Sequence, residues 1–370
     1  MTLDLPTSHR LPLSWLYEAA SPPIQYRALA EAAPESARDP DRLAALREAA
    51  LNYKVAAAIA RKQRENGLWG NNLLGPGASK AYGWKEPGTV FQYRHLLELG
   101  WAPELRIFRT TDRFLYRLLS RDEDPSLLVE FQRSAKTDPG FGLWARNLLR
   151  EAAAATLARA GQTEDPRLRG TAHKIASDIS AFLRSEFAAK PFRKAQGKTA
   201  LEPAAYPPTT FAMEVLAFMP AVQRERSGFI ERLAGYFSSP APKRAYFILA
   251  GKKLLPPLFE VLGDPLRGDA QGHITDIPFA VYWLELLARL GIVQKVPSAT
   301  RVLARLFSEC DASGIWTPKN LRTLPKSTHS AIAHYYPLEG PSRSPAQRQT
   351  DVTFRLALIA RLMGLPVEVV

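Results

Sequence analysis

Asp276 and Asp351 stand in matching settings, each preceded by threonine and followed by an apolar run at helical spacing. Two carboxylates so placed could grip a cation or serve as acid and base toward a bound substrate. Each could equally cap its own helix, accepting hydrogen bonds from free backbone N–H groups and complementing the helix dipole. His273 lies in the polar stretch beside Asp276, and an imidazole can exchange protons near neutral pH. His334 and Tyr335 occupy a polar stretch ahead of Asp351. Trp84, Tyr93 and Trp283, with Tyr282, offer aromatic faces that can contact an apolar chain or stabilise a cation. Helical spacing also places Trp283 on a core face. The candidate catalytic residues are therefore Asp276, Asp351 and His273. The candidate binding residues are Trp84, Tyr93, Trp283, His334 and Tyr335.

Other chemistries lack their residues. There is no Gly-x-Ser-x-Gly, no Gly-rich phosphate loop ending in Lys-Ser/Thr and no His-Glu-x-x-His. Cys310 is the one cysteine, which rules out an internal disulfide framework and a cysteine-rich metal cage. Cys310 and Asp311 with His329 or His334 are zinc-capable atoms, but at no recognised spacing, so no bound metal is expected. No motif names a cofactor.

The elements that must position these residues recur. Apolar helical segments run from Thr89 to Gly100, Leu148 to Gly161, Thr210 to Pro220, Thr275 to Gly291 and Thr350 to Gly364. Their terminal Gly or Pro positions are 61, 59, 71 and 73 residues apart. Phe279, Trp283, Leu287 and Leu290 share one face, as do Phe354, Leu358 and Leu362. Between them lie helices expected over Leu43 to Gln63, Leu105 to Ser120, Leu168 to Ala189, Gly228 to Phe237 and Ser298 to Ser308. No alternating strand pattern stands out. A second signature, Gln63-x-x-x-Gly67-x-Trp69, returns as Cys310-x-x-x-Gly314-x-Trp316 and more weakly as Asp138, Gly142 and Trp144. In each, glycine is expected to turn the chain and tryptophan to clamp the next helix. Helix pairs of this kind bury their apolar faces against their neighbours.

Gln63-x-x-x-Gly67-x-Trp69, followed by Thr89-Val90-Phe91 and Leu97-Glu98-Leu99-Gly100, resembles the glutamine–tryptophan repeat of the terpenoid cyclase and protein prenyltransferase superfamily. Ser21-Pro22-Pro23-Ile24-Gln25-Tyr26-Arg27 is similar to the N-terminus of bacterial prenyltransferase-like members. The resemblance covers about residues 15 to 120 and 270 to 364. It implies an all-α fold: one alpha/alpha toroid over residues 1–370, with five to six helix pairs around a central cavity. The candidate aromatics would line that cavity, and both aspartates would face one rim. Squalene-type cyclases carry Asp-x-Asp-Asp at an inner-helix start, whereas here His273-Ile274-Thr275-Asp276 and Arg348-Gln349-Thr350-Asp351 have threonine at the protonating position. Protein prenyltransferases ligate zinc with Asp, Cys and His; Asp276 matches the aspartate, but Pro278 stands at the cysteine position.

The chain carries 49 Lys and Arg against 36 Asp and Glu, a net +13 that attracts anions. Basic clusters sit at Arg61-Lys62-Arg64, Lys190 to Lys198, Lys243-Arg244 with Lys252-Lys253, and Arg343 to Arg348. They are not interleaved with aromatics in the manner of single-strand nucleic-acid binders. The apolar insertion 243–262 is expected to form a buried helix or cavity lid, with peripheral contact to an anionic membrane as the alternative. No signal segment or spanning stretch is visible, so a cytoplasmic protein is expected. Three functions stay open: cavity binding of an elongated anionic or isoprenoid-like ligand, a cyclase-like or prenyl-transferring enzyme with a non-standard acid, and a scaffold for a protein partner.

Overall fold

A computed structural model describes residues 4–70, 72–74, 88–120, 123–226, 228–327, 329–340 and 344–370. Most of this chain is helical. The helices begin with α1 (Leu13–Ala19), α2 (Pro22–Arg27), α3 (Pro40–Leu51), α4 (Lys54–Ala60), α5 (Thr89–Glu98) and α6 (Arg106–Leu119). They continue with α7 (Gln132–Thr137), α8 (Pro139–Arg159), α9 (Pro166–Arg184), α10 (Thr210–Phe218), α11 (Pro220–Arg224) and α12 (Phe229–Phe237). Last come α13 (Ile277–Arg289), α14 (Pro297–Ser308) and α15 (Gln347–Leu362). Among the described residues no helix is long and apolar enough to cross a membrane.

The chain sorts into two compact units. The first comprises Met1–Arg61, His95–Ala102 and Leu266–Val370; the second comprises Lys62–Arg94 and Pro103–Pro265. In the first, α13 packs on α15, and α2 with the π-turn Ala28–Ala32 packs on α15. Every residue from Pro278 to Ala288 and from Thr350 to Ala360 is buried, the pattern of helices enclosed on all sides. In the second unit α8 packs against α6, α9 and α10, and α9 also touches α12.

Both glutamine–tryptophan-like loops close as the spacing predicts. Gln63 bridges Trp69 and Cys310 bridges Trp316, with Gly67 at φ 82° and Gly314 at φ 91°. A Cβ on Gly314 would lie 2.1 Å from the Arg10 carbonyl oxygen, so that turn admits only glycine. The two loops share a clamp: Trp69 N–H donates to Thr89 Oγ1 and Trp316 N–H to Thr353 Oγ1, each at 3.0 Å. Both indoles are 1% exposed. The third copy behaves differently. Asp138 caps α8, accepting from Phe141 N–H at 3.1 Å, so Gly142 and Trp144 lie inside the helix. The helix expected near Leu148 therefore starts at Pro139, because an Asp-Pro pair is a stronger start signal than an apolar run.

Other boundaries also moved. The helix expected over Leu43 to Gln63 breaks between α3 and α4, and the one expected to reach Ala189 ends at Arg184. Three short two-stranded sheets form where no strand was expected. β1 (His9–Leu11) pairs in parallel with β6 (Val367–Val369). β2 (Phe192–Ala195) and β3 (Lys198–Leu201) make a hairpin turned by Gln196 at φ 50° and Gly197 at φ 75°. β4 (Ile248–Ala250) and β5 (Lys253–Leu255) make another, turned through Gly251 at φ 58°. The insertion 243–262 is thus a hairpin followed by extended chain rather than a helix. Its turn glycine and its paired prolines, Pro256 and Pro257, both interrupt helix.

Candidate functional site

Asp276 caps α13: its Oδ1 accepts from Phe279 N–H at 2.9 Å and its Oδ2 from the Ser327 hydroxyl at 2.6 Å. Asp351 is not at a helix start, because α15 begins at Gln347. It is fully buried, accepting from Leu338 N–H at 2.8 Å and pairing with Arg355 Nε at 2.8 Å. His273 is exposed and joins Asp269, its Nδ1 2.9 Å from Oδ2. Trp84 lies outside the described residues. Tyr93 is buried in the second unit and donates to Asp112 Oδ1 at 2.8 Å. Burial pushes that carboxyl up to about 6 despite the phenol's bond.

His334 and Tyr335 come together in the first unit, 6.4 Å apart between ring centres, and Trp283 is buried in the same unit, each 1% exposed or less. Tyr282 meets His334 and Tyr335 edge-on, and Trp283 stacks on Phe279. Behind them lies a buried ionic lattice. Arg355 pairs with Asp351, with Glu98 at 3.1 Å and with Glu285 at 3.6 Å, its guanidinium 3.4 Å from the Tyr335 ring centre. Arg27 bridges Glu98 and Glu31, Arg289 holds Glu285, and the Tyr335 hydroxyl donates to Glu285 at 2.7 Å. Each charge meets opposite charge inside the unit, so these residues cement its interior. Cys310 has its thiol pushed up to about 12, chiefly by burial and then by Asp311 and Glu309.

The second unit holds an open cleft of about 530 Å³ that continues into a smaller chamber of about 160 Å³. Two helix stripes build it. From α9 come Arg167, Gly170, Thr171, Lys174, Ile175 and Asp178, spaced to share one face. From α8 come Trp144, Asn147, Leu148 and Glu151, also on one face. Leu201 of β3, Ile248 of β4 and the turn 203–207 complete the inner chamber, and Tyr206, 58% exposed, borders both spaces. Gly170 leaves its position open, since a Cβ there would meet no atom within 4 Å.

Glu151 stands at the junction. Its Oε2 accepts from the Thr209 hydroxyl at 2.6 Å, and that hydroxyl oxygen accepts from Ala212 N–H at 3.0 Å as the cap of α10. Thr209 also bridges Glu260 through the backbone, bringing a second carboxyl to the same wall. Burial pushes Glu151 up to about 7; the Thr209 bond opposes this, while the Glu260 and Asp178 charges add to it. Burial likewise raises Glu260 against bonds from the Phe259 and Leu258 amides. Near neutral pH Glu151 thus exchanges between acid and carboxylate. Cations line the outer cleft: Lys174 pairs with Asp178 at 2.8 Å, Arg167 with Asp165 at 2.7 Å, and Arg150 donates to the Leu118 carbonyl at 3.0 Å.

No family model, curated protein or solved structure matches this chain. The site is therefore read from its own residues. Reasoning from sequence passed over Glu151 and Asp178 because single charges on amphipathic helices look like ordinary solvated positions. The available signal was Gly170, a helix-weakening residue set mid-helix among polar residues at three-to-four spacing.

Proposed function

We propose that this protein binds an elongated amphipathic anion in the second-unit cleft, its apolar end in the inner chamber and its anionic end toward Arg150, Arg167 and Lys174. The observation that carries this reading is the change of lining at Glu151, from Trp144, Leu148 and Ile248 on one side to arginine and lysine on the other. The protonated form of Glu151 tolerates an anion and can donate to it; the ionised form repels it. An isoprenoid diphosphate and a fatty acid both have the required polarity. In the wider fold, the two tryptophan loops, each clamped by its own threonine, support an alpha/alpha toroid of the terpenoid cyclase type. A lone, half-buried thiol suits a reducing cytoplasm.

The test is Gly170→Phe, which fills the cleft from a position with free space. With farnesyl diphosphate and palmitate as probes, the parent should bind at least one, and Gly170→Phe should weaken it by about tenfold or more, or about 1.4 kcal/mol. Thermal stability should stay near that of the parent. Equal binding by both proteins, or none by the parent, overturns the reading and favours a protein-partner scaffold. A second reading, proton transfer to the bound ligand, is favoured by the neighbouring Glu151, Glu260 and Asp178 carboxyls. It requires that Glu151→Gln retain ligand while any conversion of farnesyl diphosphate is lost.

A further inference from the structure

Two basic clusters that lie far apart in sequence meet in the second unit. Segments 187–201 and 238–259 contain eight lysines and arginines (Lys190, Arg193, Lys194, Lys198, Lys243, Arg244, Lys252 and Lys253) and no aspartate or glutamate. All eight are exposed. The two hairpins are pinned together: Leu201 N–H donates to the Phe247 carbonyl at 2.7 Å, and Phe247 N–H to the Thr199 carbonyl at 3.0 Å. At the turns the Gln196 side-chain amide donates to the Lys252 carbonyl at 3.0 Å. Among the described residues two acids border these cations: Glu202, 3.9 Å from Arg193, and Asp138, whose Oδ2 accepts from Lys252 N–H at 2.7 Å.

We infer that this double-hairpin platform is a docking surface for an anionic lipid bilayer. Its eight cations outnumber the two bordering carboxylates, and the same segments carry the half-buried apolar side chains Leu254, Leu255 and Leu258. That pairing of basic residues with apolar surface suits the interface of an anionic membrane. Nucleic acid fits less well, because the aromatic faces are already covered. Lys198 Nζ sits 4.6 Å from the Phe247 ring centre, Lys253 Nζ sits 4.7 Å from that of Phe141, and Phe192 packs against Tyr246 at 5.1 Å. Among the described residues of the two hairpin segments, bases would find these rings already engaged. Leu201 and Ile248 of the same hairpins wall the inner chamber, which sets the platform next to the space proposed for an apolar chain. The surface stands on residues apart from the cleft's charged wall, so either proposal survives the failure of the other.

The experiment is vesicle co-sedimentation of the full chain, using phosphatidylcholine alone or mixed with phosphatidylserine. Binding should require phosphatidylserine and should fall as salt is raised, since exposed charges are screened. Each cation near the surface is worth about fivefold in affinity, so Lys194→Gln with Lys252→Gln should weaken binding by about thirtyfold. Arg61→Gln with Lys62→Gln removes the same charge from another exposed cluster and should change it little. Failure to bind phosphatidylserine vesicles overturns the proposal. So do equal binding to both vesicles and equal weakening by the two double variants. Tighter, salt-sensitive binding of a single-stranded oligonucleotide that is lost in Lys194→Gln with Lys252→Gln would assign the platform to nucleic acid instead.

Discussion

Replacing Glu339 by glutamine should abolish a specific part of the protein's pH-dependent stability. Glu339 is 6% exposed, and its Oε1 accepts from Ser21 N–H at 2.9 Å and from the Thr350 hydroxyl at 2.7 Å. Burial pushes its carboxyl from 4.5 to about 7; the Ser21 and Thr350 bonds oppose that rise and the Asp351 charge adds to it. A carboxyl raised on folding contributes stability that is complete below its unfolded value, near 4.5, and is lost as pH rises through about 7. The shift corresponds to a loss of about 3 kcal/mol once Glu339 is ionised, most of it falling between about pH 4.5 and about pH 7. Glutamine keeps an acceptor for both donors and does not titrate. The parent should therefore lose about 2 to 3 kcal/mol relative to Glu339→Gln across that range. Urea melts at the two pH values measure this difference, and hydrogen exchange at the Ser21 amide reports it locally. Parallel pH profiles for the two proteins would refute the assignment of burial as the cause.

Four further outcomes are expected. Arg355→Met should cost about 3–5 kcal/mol in chemical denaturation, because it strands Asp351, Glu98 and Glu285 among buried groups. Asp276→Ala should cost about 1 kcal/mol through loss of the α13 cap while leaving farnesyl diphosphate and palmitate binding unchanged, and a large loss of binding would restore Asp276 as a site residue. Gly170→Ala should raise stability by about 1 kcal/mol, since a methyl there meets no atom and helps the helix. Affinity for an anionic probe, measured by calorimetric titration, should fall as pH rises through about 7 in the parent but not in Glu151→Gln.

Local rules carried much of the helical pattern. The Asp276 cap, the helix ends at Gly100, Gly161, Gly291 and Gly364, and both tryptophan loops depend on neighbours a few residues away, and all were legible. The α8 start was legible too, but an apolar run drew the boundary to Leu148 when Asp138 and Pro139 held the stronger signal. Asp351 was misplaced for another reason. Its partners Arg355 and Leu338 hold it inside the first unit, and only tertiary contact distinguishes a buried ion pair from a helix cap. The hairpins escaped notice because strands of three or four residues leave little alternation to detect. The cleft escaped notice because Glu151 acquires its character from Thr209 and Glu260, which the chain brings back from well downstream.

The pairing of β1 with β6 bears on how the chain is made. Ser21 waits for Glu339, 318 residues later, before its amide finds its acceptor, and Arg27 and Ala33 wait for the same distal region. At 5–20 residues per second, synthesis of that interval takes roughly 15 to 65 s. Throughout that time α1 and α2 leave the ribosome with apolar faces and a cation whose burial depends on helices not yet translated. The second unit, assembled from residues 62–94 and 103–265, has all its parts much earlier. The newborn chain should therefore carry a finished middle and an unfinished beginning, with Leu16 and Ile24 open to chaperones or to misassociation until α15 emerges.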